Sequence, residues 1–183
     1  MKRSHSCLIA VVIAASACSS NQLDPAQIDN IVDTLSLAAL TGTSITSASA
    51  YSIPDARVIR TDQTSAFDFA YDLQDGGRHV LLPLEALGLA GSTSSNPGLI
   101  RSTETFAGLT SPPTNGYLTK DTVVVAVGDV FVARSRIACY LGVPEYAKLQ
   151  ILSFDDVQRT MQMQVLANVN CGYRNLGIGI PTN

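Results

Sequence analysis

The chain has 183 residues, of which 15% are charged, and its formal net charge is −3. Its 12 basic residues are scattered along the sequence, which excludes the clustered positive surface of a nucleic-acid binder and the polybasic patch that recognises anionic lipid. Beyond the first 17 residues no apolar run approaches the ~20 residues of a membrane-spanning helix.

The first 17 residues have the composition of a bacterial secretory signal. Lys2 and Arg3 supply a cationic start, and an apolar run of about 11 residues follows before small residues mark a cleavage site. Residues 1–17 are therefore predicted to be a signal peptide that is absent from the mature protein. Removing them takes away both of these basic residues, so ten basic and fifteen acidic side chains remain and the mature net charge is −5.

The end of this signal, Ala15-Ser16-Ala17-Cys18, resembles a lipobox. In proteins with that motif the cysteine is lipidated and becomes the first mature residue, so Cys18 is expected to anchor the protein in a membrane. Ordinary cleavage after Ala17, which would leave Cys18 as a free thiol, is the alternative. Ser19 follows the cysteine, and the absence of Asp there is similar to lipoproteins sorted to the outer membrane, facing either the periplasm or the outside.

The mature length corresponds to about one domain. Residues 18–52 are predicted to form a lipidated tether with one short helix, and residues 53–183 a β-rich domain. The helix is expected near residues 25–40, because Asp24 and Pro25 form a helix start and Ile28, Ile31 and Leu35 recur at helical spacing.

From residue 57 onward apolar residues alternate with polar ones, which is the pattern of half-buried strands. Strands are predicted at residues 57–60, 67–73, 79–87, 103–109, 122–127 and 130–134, followed by a hairpin of 146–154 with 159–167. The predicted fold is all-β: an antiparallel β-sandwich or open barrel with one short N-terminal helix.

Cys139 and Cys171 are the two cysteines left if Cys18 carries lipid. In an exported protein such a pair predicts a disulfide. The sequence has no His or further Cys at the spacing of a zinc site around them.

The sequence contains no arrangement typical of a catalytic centre. His79 is the one histidine of the mature chain and is interpreted as a solvent-exposed strand residue. Asp68, Asp72 and Asp75 are interpreted as a solvated face. A hydrolase that uses Asp68 or Asp72 with His79, and a weak calcium site on these aspartates, are the alternatives. We therefore predict a non-enzymatic protein with no cofactor.

Met161 and Met163 share one face of the last predicted strand, where methionine usually fills a core. The alternative is that they bind a ligand as soft donors to haem iron or copper. Tyr146, Tyr173 and Arg174 are expected to form a corner near the disulfide that locks the last strand.

Two C-terminal stretches carry a resemblance to a known family. Val130-Phe131-Val132-Ala133-Arg134-Ser135 and Tyr146-Ala147-Lys148-Leu149-Gln150-Ile151-Leu152-Ser153-Phe154 resemble paired strands of HmuY-like lipoproteins, and Phe67-Asp68-Phe69-Ala70-Tyr71 is weakly similar to another of their strands. The resemblance covers about a quarter of the chain. It implies an all-β, exported, lipid-anchored protein, and the best-known members of the family capture haem. Haem capture through two histidines is excluded for a monomer whose mature chain has His79 alone.

These observations predict an envelope lipoprotein whose β-domain binds a ligand or another surface component. The alternatives are a structural or adhesion-type sandwich without a small-molecule site, and a haem-binding protein with non-histidine ligands. Loops 88–98 and 111–116 are the expected place for function.

Overall fold

A computed structural model describes residues 23–90 and 96–182. The signal region, Cys18 and the centre of loop 88–98 lie outside these described residues. The described chain forms ten strands: β1 Asp33–Ala38, β2 Ala50–Ser52, β3 Arg57–Ile59, β4 Phe69–Gln74, β5 Arg78–Pro83, β6 Gly98–Ser102, β7 Val123–Val124, β8 Val130–Arg134, β9 Tyr146–Asp155 and β10 Thr160–Asn168.

The strands make two antiparallel sheets of five. Sheet I has the order β1-β10-β9-β8-β6, and sheet II has the order β3-β2-β4-β5-β7. The sheets do not close into a barrel, so the predicted β-sandwich is confirmed and its open-barrel alternative is not. Every strand pair is antiparallel, which allows each sheet to bury one face and leave the other for loops or solvent.

The main core lies between the two sheets. Alternate residues of each strand point into it, as the period of two requires. Its largest fully buried side chains are aromatic residues from both sheets, with leucine, isoleucine and methionine between them: Tyr51, Phe69, Tyr71, Phe131, Leu37, Ile53, Leu81, Leu99, Leu149, Ile151 and Met161.

A second apolar cluster covers the outer face of sheet I. Residues 103–122 and the C-terminal tail after β10 fold over this face and bury side chains against it. The cluster contains Phe106, Leu109, Val130, Val132, Tyr146, Leu166 and Leu176. The part of sheet I beneath this cluster is therefore buried on both faces, and a polar side chain there is enclosed as well. Elsewhere on this face polar side chains such as Ser36 and Gln162 remain exposed.

The predicted N-terminal helix is wrong. Asp33–Ala38 forms the edge strand β1, and no helix occurs in the described ranges. β1 pairs along its whole length with β10, and Leu37 is completely buried while Ile28 and Ile31 remain exposed. The pairing with β10 and burial in the sandwich outweighed a local helical pattern, because propensity is a weak preference compared with tertiary contacts. Residues 33–52 thus contribute β1 and β2 to the two sheets.

A strand predicted at residues 103–109 is also wrong. Residues 103–109 form turns rather than a strand, and the strand of that region is β6, Gly98–Ser102, which pairs with β8. By contrast, the predicted hairpin of 146–154 with 159–167 is confirmed as β9 and β10, with a register shift between Gln162 and Met163. No helix of the described residues is long and apolar enough to cross a membrane.

The predicted Cys139–Cys171 disulfide is confirmed, and its Cα atoms lie 5.5 Å apart. It joins the loop after β8 to the segment after β10, at the end of the sandwich opposite the β9–β10 turn. The N-terminal segment before β1 is held at the same end. Asn170 accepts hydrogen bonds from the backbone of Gln27 and Ile28, and the Tyr173 hydroxyl donates to the carbonyl of Asp24.

Candidate functional site

Lys148 lies on the outer face of β9, the middle strand of sheet I. Ala147 and Leu149, its neighbours in the strand, point into the main core. Its cross-strand partners are Val132 on β8 and Leu166 on β10, both buried and apolar. Because sheet I is covered on this face, the side chain of Lys148 is enclosed, and the residue is only 3% exposed.

The ammonium of Lys148 has an unusual set of contacts for a buried charge. Nζ donates a hydrogen bond of 2.9 Å to the carbonyl oxygen of Leu109 and lies 4.8 Å from the ring centroid of Phe106. Among the residues that the structure describes, no carboxylate lies within 4.0 Å of it. Burial therefore lowers the pKa of Lys148. A lysine ammonium has three N–H donors, and this one keeps donor capacity for a further acceptor.

The loop of residues 105–110 positions those contacts. Phe106 and Leu109 insert into the apolar cluster on sheet I, and this places the Leu109 carbonyl over Lys148. The loop is closed by its own hydrogen bonds, from the Leu109 amide to the Thr105 carbonyl and from the Gly108 amide to the Thr105 hydroxyl. The buried aromatic and aliphatic side chains thus hold the acceptor in place.

A cleft of about 700 Å³ opens beside Lys148. Its floor is the sheet, where the Gln164 amide donates a 2.6 Å hydrogen bond to the Gln150 side chain. The walls come from the 105–110 loop, from the segment before β1 and from the C-terminal tail. They comprise Val32, Thr105, Phe106, Ala107, Thr110, Gly177 and Ile178. The cleft therefore combines an apolar rim with one cation and two amides at its base.

The rim residues Val32 and Ile178 are exposed apolar side chains held near each other by backbone pairing. Asn30 and Gly179 exchange two hydrogen bonds of 2.9 and 3.0 Å, and the Asn30 side chain donates to the carbonyls of Asn175 and Gly177. This arrangement fixes the wall of the cleft that faces the 105–110 loop. A preformed apolar cleft with few polar groups is the usual form of a small-molecule site.

Another cleft, about 800 Å³, lies at the β4–β5 and β9–β10 turns and is polar. Two of its charged groups, Asp72 and Arg159, bond within the protein. Asp72 accepts from the amide and hydroxyl of Thr41, at 3.0 and 2.8 Å, and Arg159 donates to the carbonyls of Thr41 and Leu73. These contacts explain the burial of Asp72, which the sequence interpretation placed on a solvated face. They leave this cleft a weaker candidate than the one at Lys148.

His79 is not the solvent-exposed residue that the sequence predicted, because its side chain is only 13% exposed. It stacks on Phe154 with ring centroids 3.6 Å apart, shares a 2.8 Å hydrogen bond with the Tyr71 hydroxyl, and has Nε2 3.2 Å from Asp156. In the described structure neither Asp68 nor Asp72, its proposed partners in a hydrolase, forms a hydrogen bond or ion pair with it.

Asp68 lies at the other end of β4 and is 1% exposed. It accepts hydrogen bonds of 2.7 Å from the amides of Ile53 and Arg136, and the Arg136 guanidinium lies 3.4 Å away. Burial raises the pKa of Asp68 in spite of these contacts. Glu145, 5% exposed, is close by, and burial followed by repulsion from Asp68 raises its pKa to about 7. Oε2 of Glu145 has no hydrogen-bond partner among the described residues.

No group of three His, Cys, Asp or Glu side chains in the described ranges is arranged to hold a metal ion. Asp68, Asp72 and Asp75 are therefore not brought together as a calcium site there. Met161 and Met163 are completely buried in the main core between the sheets. Their position is that of core-filling side chains. Cys18, the predicted lipidation site, lies outside the described residues.

Sequence reasoning missed Lys148 as a site residue. In Tyr146-Ala147-Lys148-Leu149-Gln150 the lysine occupies a polar position of an alternating pattern, which predicts solvent exposure. Only the packing of the 103–122 segment over sheet I buries it. The apolar residues Phe106 and Leu109 in a turn-rich stretch were the one signal that this segment covers another surface.

Comparison with known proteins finds no relative from which a function could be inferred. No family model, curated protein or solved structure matches the chain.

Proposed function

We propose that this protein is an envelope lipoprotein, anchored through Cys18, whose β-sandwich binds a small ligand with an anionic head and an apolar body in the cleft at Lys148. The observation that carries the proposal is Lys148, a residue only 3% exposed, whose ammonium has no carboxylate partner among the described residues.

A buried charge without a counter-ion is costly to the fold. A ligand carboxylate or a similar anion at Lys148 would supply the missing charge and accept one or two charge-assisted hydrogen bonds, which are shorter and stronger than neutral ones. Binding of the anion would also favour the protonated lysine, which burial disfavours. The free energy of binding then includes the relief of an existing desolvation cost.

The walls of the cleft favour an apolar body on the same ligand. Phe106, Val32 and Ile178 present carbon surface above the cation, and Gln150 and Gln164 offer amides at the floor. The volume of about 700 Å³ is within the usual range of small-molecule sites. A short fatty acid, or another amphiphilic carboxylate of that size, has the required chemistry.

The anchor at Cys18 rests on the lipobox-like Ala15-Ser16-Ala17-Cys18 and on the signal-like composition before it. With Ser19 following the cysteine, we place the protein at the outer membrane, facing either the periplasm or the outside. Export is supported by the Cys139–Cys171 disulfide, since such bonds persist in oxidising compartments.

The resemblance to HmuY-like lipoproteins supports an exported ligand-binding domain. The haem version has less support from the geometry. Met161 and Met163 are enclosed in the main core, and His79 is engaged by Tyr71 and Asp156. A flat Soret region on titration with haemin would dispose of it.

Titration with decanoate tests the ligand class. The melting temperature should rise when decanoate is added and should not rise with decanol, which has the same apolar chain and no charge. The Lys148→Met variant should lose the shift. Lys120→Met removes the same charge from a surface side chain that is 64% exposed, and should retain it.

An equal shift with decanol, or an unchanged response of Lys148→Met, would contradict a charge-dependent site. If neither compound shifts unfolding, the structural or adhesion-type sandwich becomes the better account. The anchor has its own test: metabolic incorporation of an alkyne-bearing fatty acid should label the wild-type chain and fail to label Cys18→Ala.

A further inference from the structure

Residues 137–144, Ile-Ala-Cys-Tyr-Leu-Gly-Val-Pro, form an uncharged loop between β8 and β9. Its large side chains point outward: Ile137, Leu141 and Val143 are exposed, and Tyr140 is 73% exposed. Single exposed apolar residues are ordinary on a protein surface, whereas a continuous apolar patch marks an interaction site. This loop is such a patch.

The N-terminal segment enters the described structure beside the same loop. Leu23 and Leu141 both pack against Gly172, whose added Cβ would lie 2.8 and 3.0 Å from them. The Tyr140 hydroxyl donates a 3.2 Å hydrogen bond to the Asp24 carboxylate. The disulfide at Cys139 ties the loop to the segment that holds residues 24–28. The loop and the start of the described chain therefore occupy one end of the sandwich.

The distance from this end to Cys18 is bounded by the covalent chain. Five residue steps separate Cys18 from Leu23, and a fully extended chain spans at most ~3.5 Å per residue, or roughly 18 Å. If Cys18 carries lipid, as the proposed function holds, Leu23 lies within roughly 18 Å of the membrane interface, and Leu141 of the loop packs beside the same glycine as Leu23.

We infer that loop 137–144 is a membrane-contacting surface that seats the disulfide end of the sandwich on the bilayer into which Cys18 is anchored. The inference rests on the lipidation of Cys18 in the proposed function. Leucine, isoleucine and valine side chains gain by leaving water for the acyl boundary, and tyrosine is favoured at the interface by its apolar ring and polar hydroxyl.

The composition of the loop also indicates which lipids it should require. Residues 137–144 contain no Lys or Arg, so the contact is apolar rather than electrostatic and needs no anionic headgroup. The opposite end of the sandwich carries the β9–β10 turn and the polar 800 Å³ cleft. With the loop on the bilayer, the β9–β10 turn faces away from the membrane.

A single-tryptophan experiment tests this orientation, because the chain contains no tryptophan. The full-length, lipidated variants Tyr140→Trp and Val157→Trp are inserted into zwitterionic phosphatidylcholine vesicles with and without brominated acyl chains. Val157 is the matched control. It is 87% exposed and lies in the β9–β10 turn, which the nine-residue strand β10 separates from the disulfide end.

Tyr140→Trp should show a blue-shifted emission that loses most of its intensity in brominated vesicles, while Val157→Trp should be unaffected. Adding Leu141→Asp to Tyr140→Trp should reduce the quenching, and adding anionic lipid should not increase it. Lack of quenching in a protein that floats with the vesicles would overturn the inference and leave the anchor standing.

Two other outcomes would also overturn it. If the chain does not float with vesicles, the anchor of the proposed function fails together with this inference. If the Tyr140→Trp emission is blue-shifted and concentration-dependent without any bilayer, the loop binds a second copy of the chain instead of lipid.

Discussion

Lys148 donates a hydrogen bond to the carbonyl of Leu109, a residue 39 positions earlier in the chain. The contact joins the central strand of sheet I to the segment that covers its outer face. It places a cation at the base of an apolar cleft where the neighbouring strands offer only Val132 and Leu166. A polar side chain on a strand was enclosed because the chain folded back over it.

Replacing Lys148 with Met should leave the stability of the fold unchanged or raise it, because a buried charge without a counter-ion gives way to an apolar chain of similar length. We expect a gain of about 1 kcal/mol and a rise in melting temperature of roughly 2–4 °C. Lys120→Met is the control in a thermal unfolding experiment. A large loss of stability in Lys148→Met would show that the Leu109 hydrogen bond outweighs the desolvation of the ammonium.

Glu145 should make the stability of the protein fall as pH rises. Burial and the nearby Asp68 and Asp55 raise its pKa from 4.5 to about 7, while Arg136 acts in the opposite direction. A raised carboxyl pKa means that the folded state binds more protons than the unfolded state between these values. Stability is therefore highest below pH 4.5 as far as this group is concerned, and up to about 3 kcal/mol is lost by pH 8.

Glu145→Gln should remove that pH dependence and unfold at a higher temperature than the wild type at pH 8. Glu104→Gln changes the same charge at an exposed site and should leave the profile intact. Melting temperatures measured from pH 5 to pH 8 decide the matter. Parallel profiles for wild type and Glu145→Gln would contradict the assignment.

The disulfide should stabilise the folded protein because it closes a loop of 32 residues and so restricts the unfolded chain. On the chain-entropy model this amounts to roughly 3–4 kcal/mol, enough to lower the melting temperature by several degrees on reduction. The double variant Cys139→Ser/Cys171→Ser should melt at the lower temperature with or without reductant. An unchanged melting temperature of the reduced wild type would argue against this contribution.

Asn170 should control the attachment of the N-terminal segment. Its side chain accepts from the amides of Gln27 and Ile28 and donates to the Ile28 carbonyl. Asn170→Ala removes the partner of these part-buried backbone groups, which water can then reach, and we expect a loss of about 1 kcal/mol. Amide hydrogen exchange should accelerate at residues 27 and 28. Tyr173→Phe, which loses the bond to the Asp24 carbonyl, should give a smaller effect nearer to residue 24.

Much of the fold could be predicted from the local alternation of apolar and polar residues. The β9–β10 hairpin follows from apolar alternation on both arms, and its predicted bounds differ from the observed ones by a single residue at most. The Cys139–Cys171 bond follows from the count of cysteines left after Cys18. The helix expected near residues 25–40 was wrong because an edge of sheet I was available to Asp33–Ala38.

The site depended on contacts between distant parts of the chain. The His79 side chain is largely enclosed because Phe154 and Tyr71, from two different sheets, meet at its ring. Burial in the folded sandwich, followed by repulsion from the nearby Asp68, raises the pKa of Glu145.

Local sequence was sufficient to predict the β9–β10 hairpin, the disulfide, and a signal and anchor at Cys18, because these depend on neighbouring residues or on composition. The burial of Lys148 and the exposure of Tyr140 became visible only in the folded chain. Whether a side chain is buried depends on contacts between segments that are far apart in the chain. The alternation of residues in one strand does not show which of its faces another segment will cover.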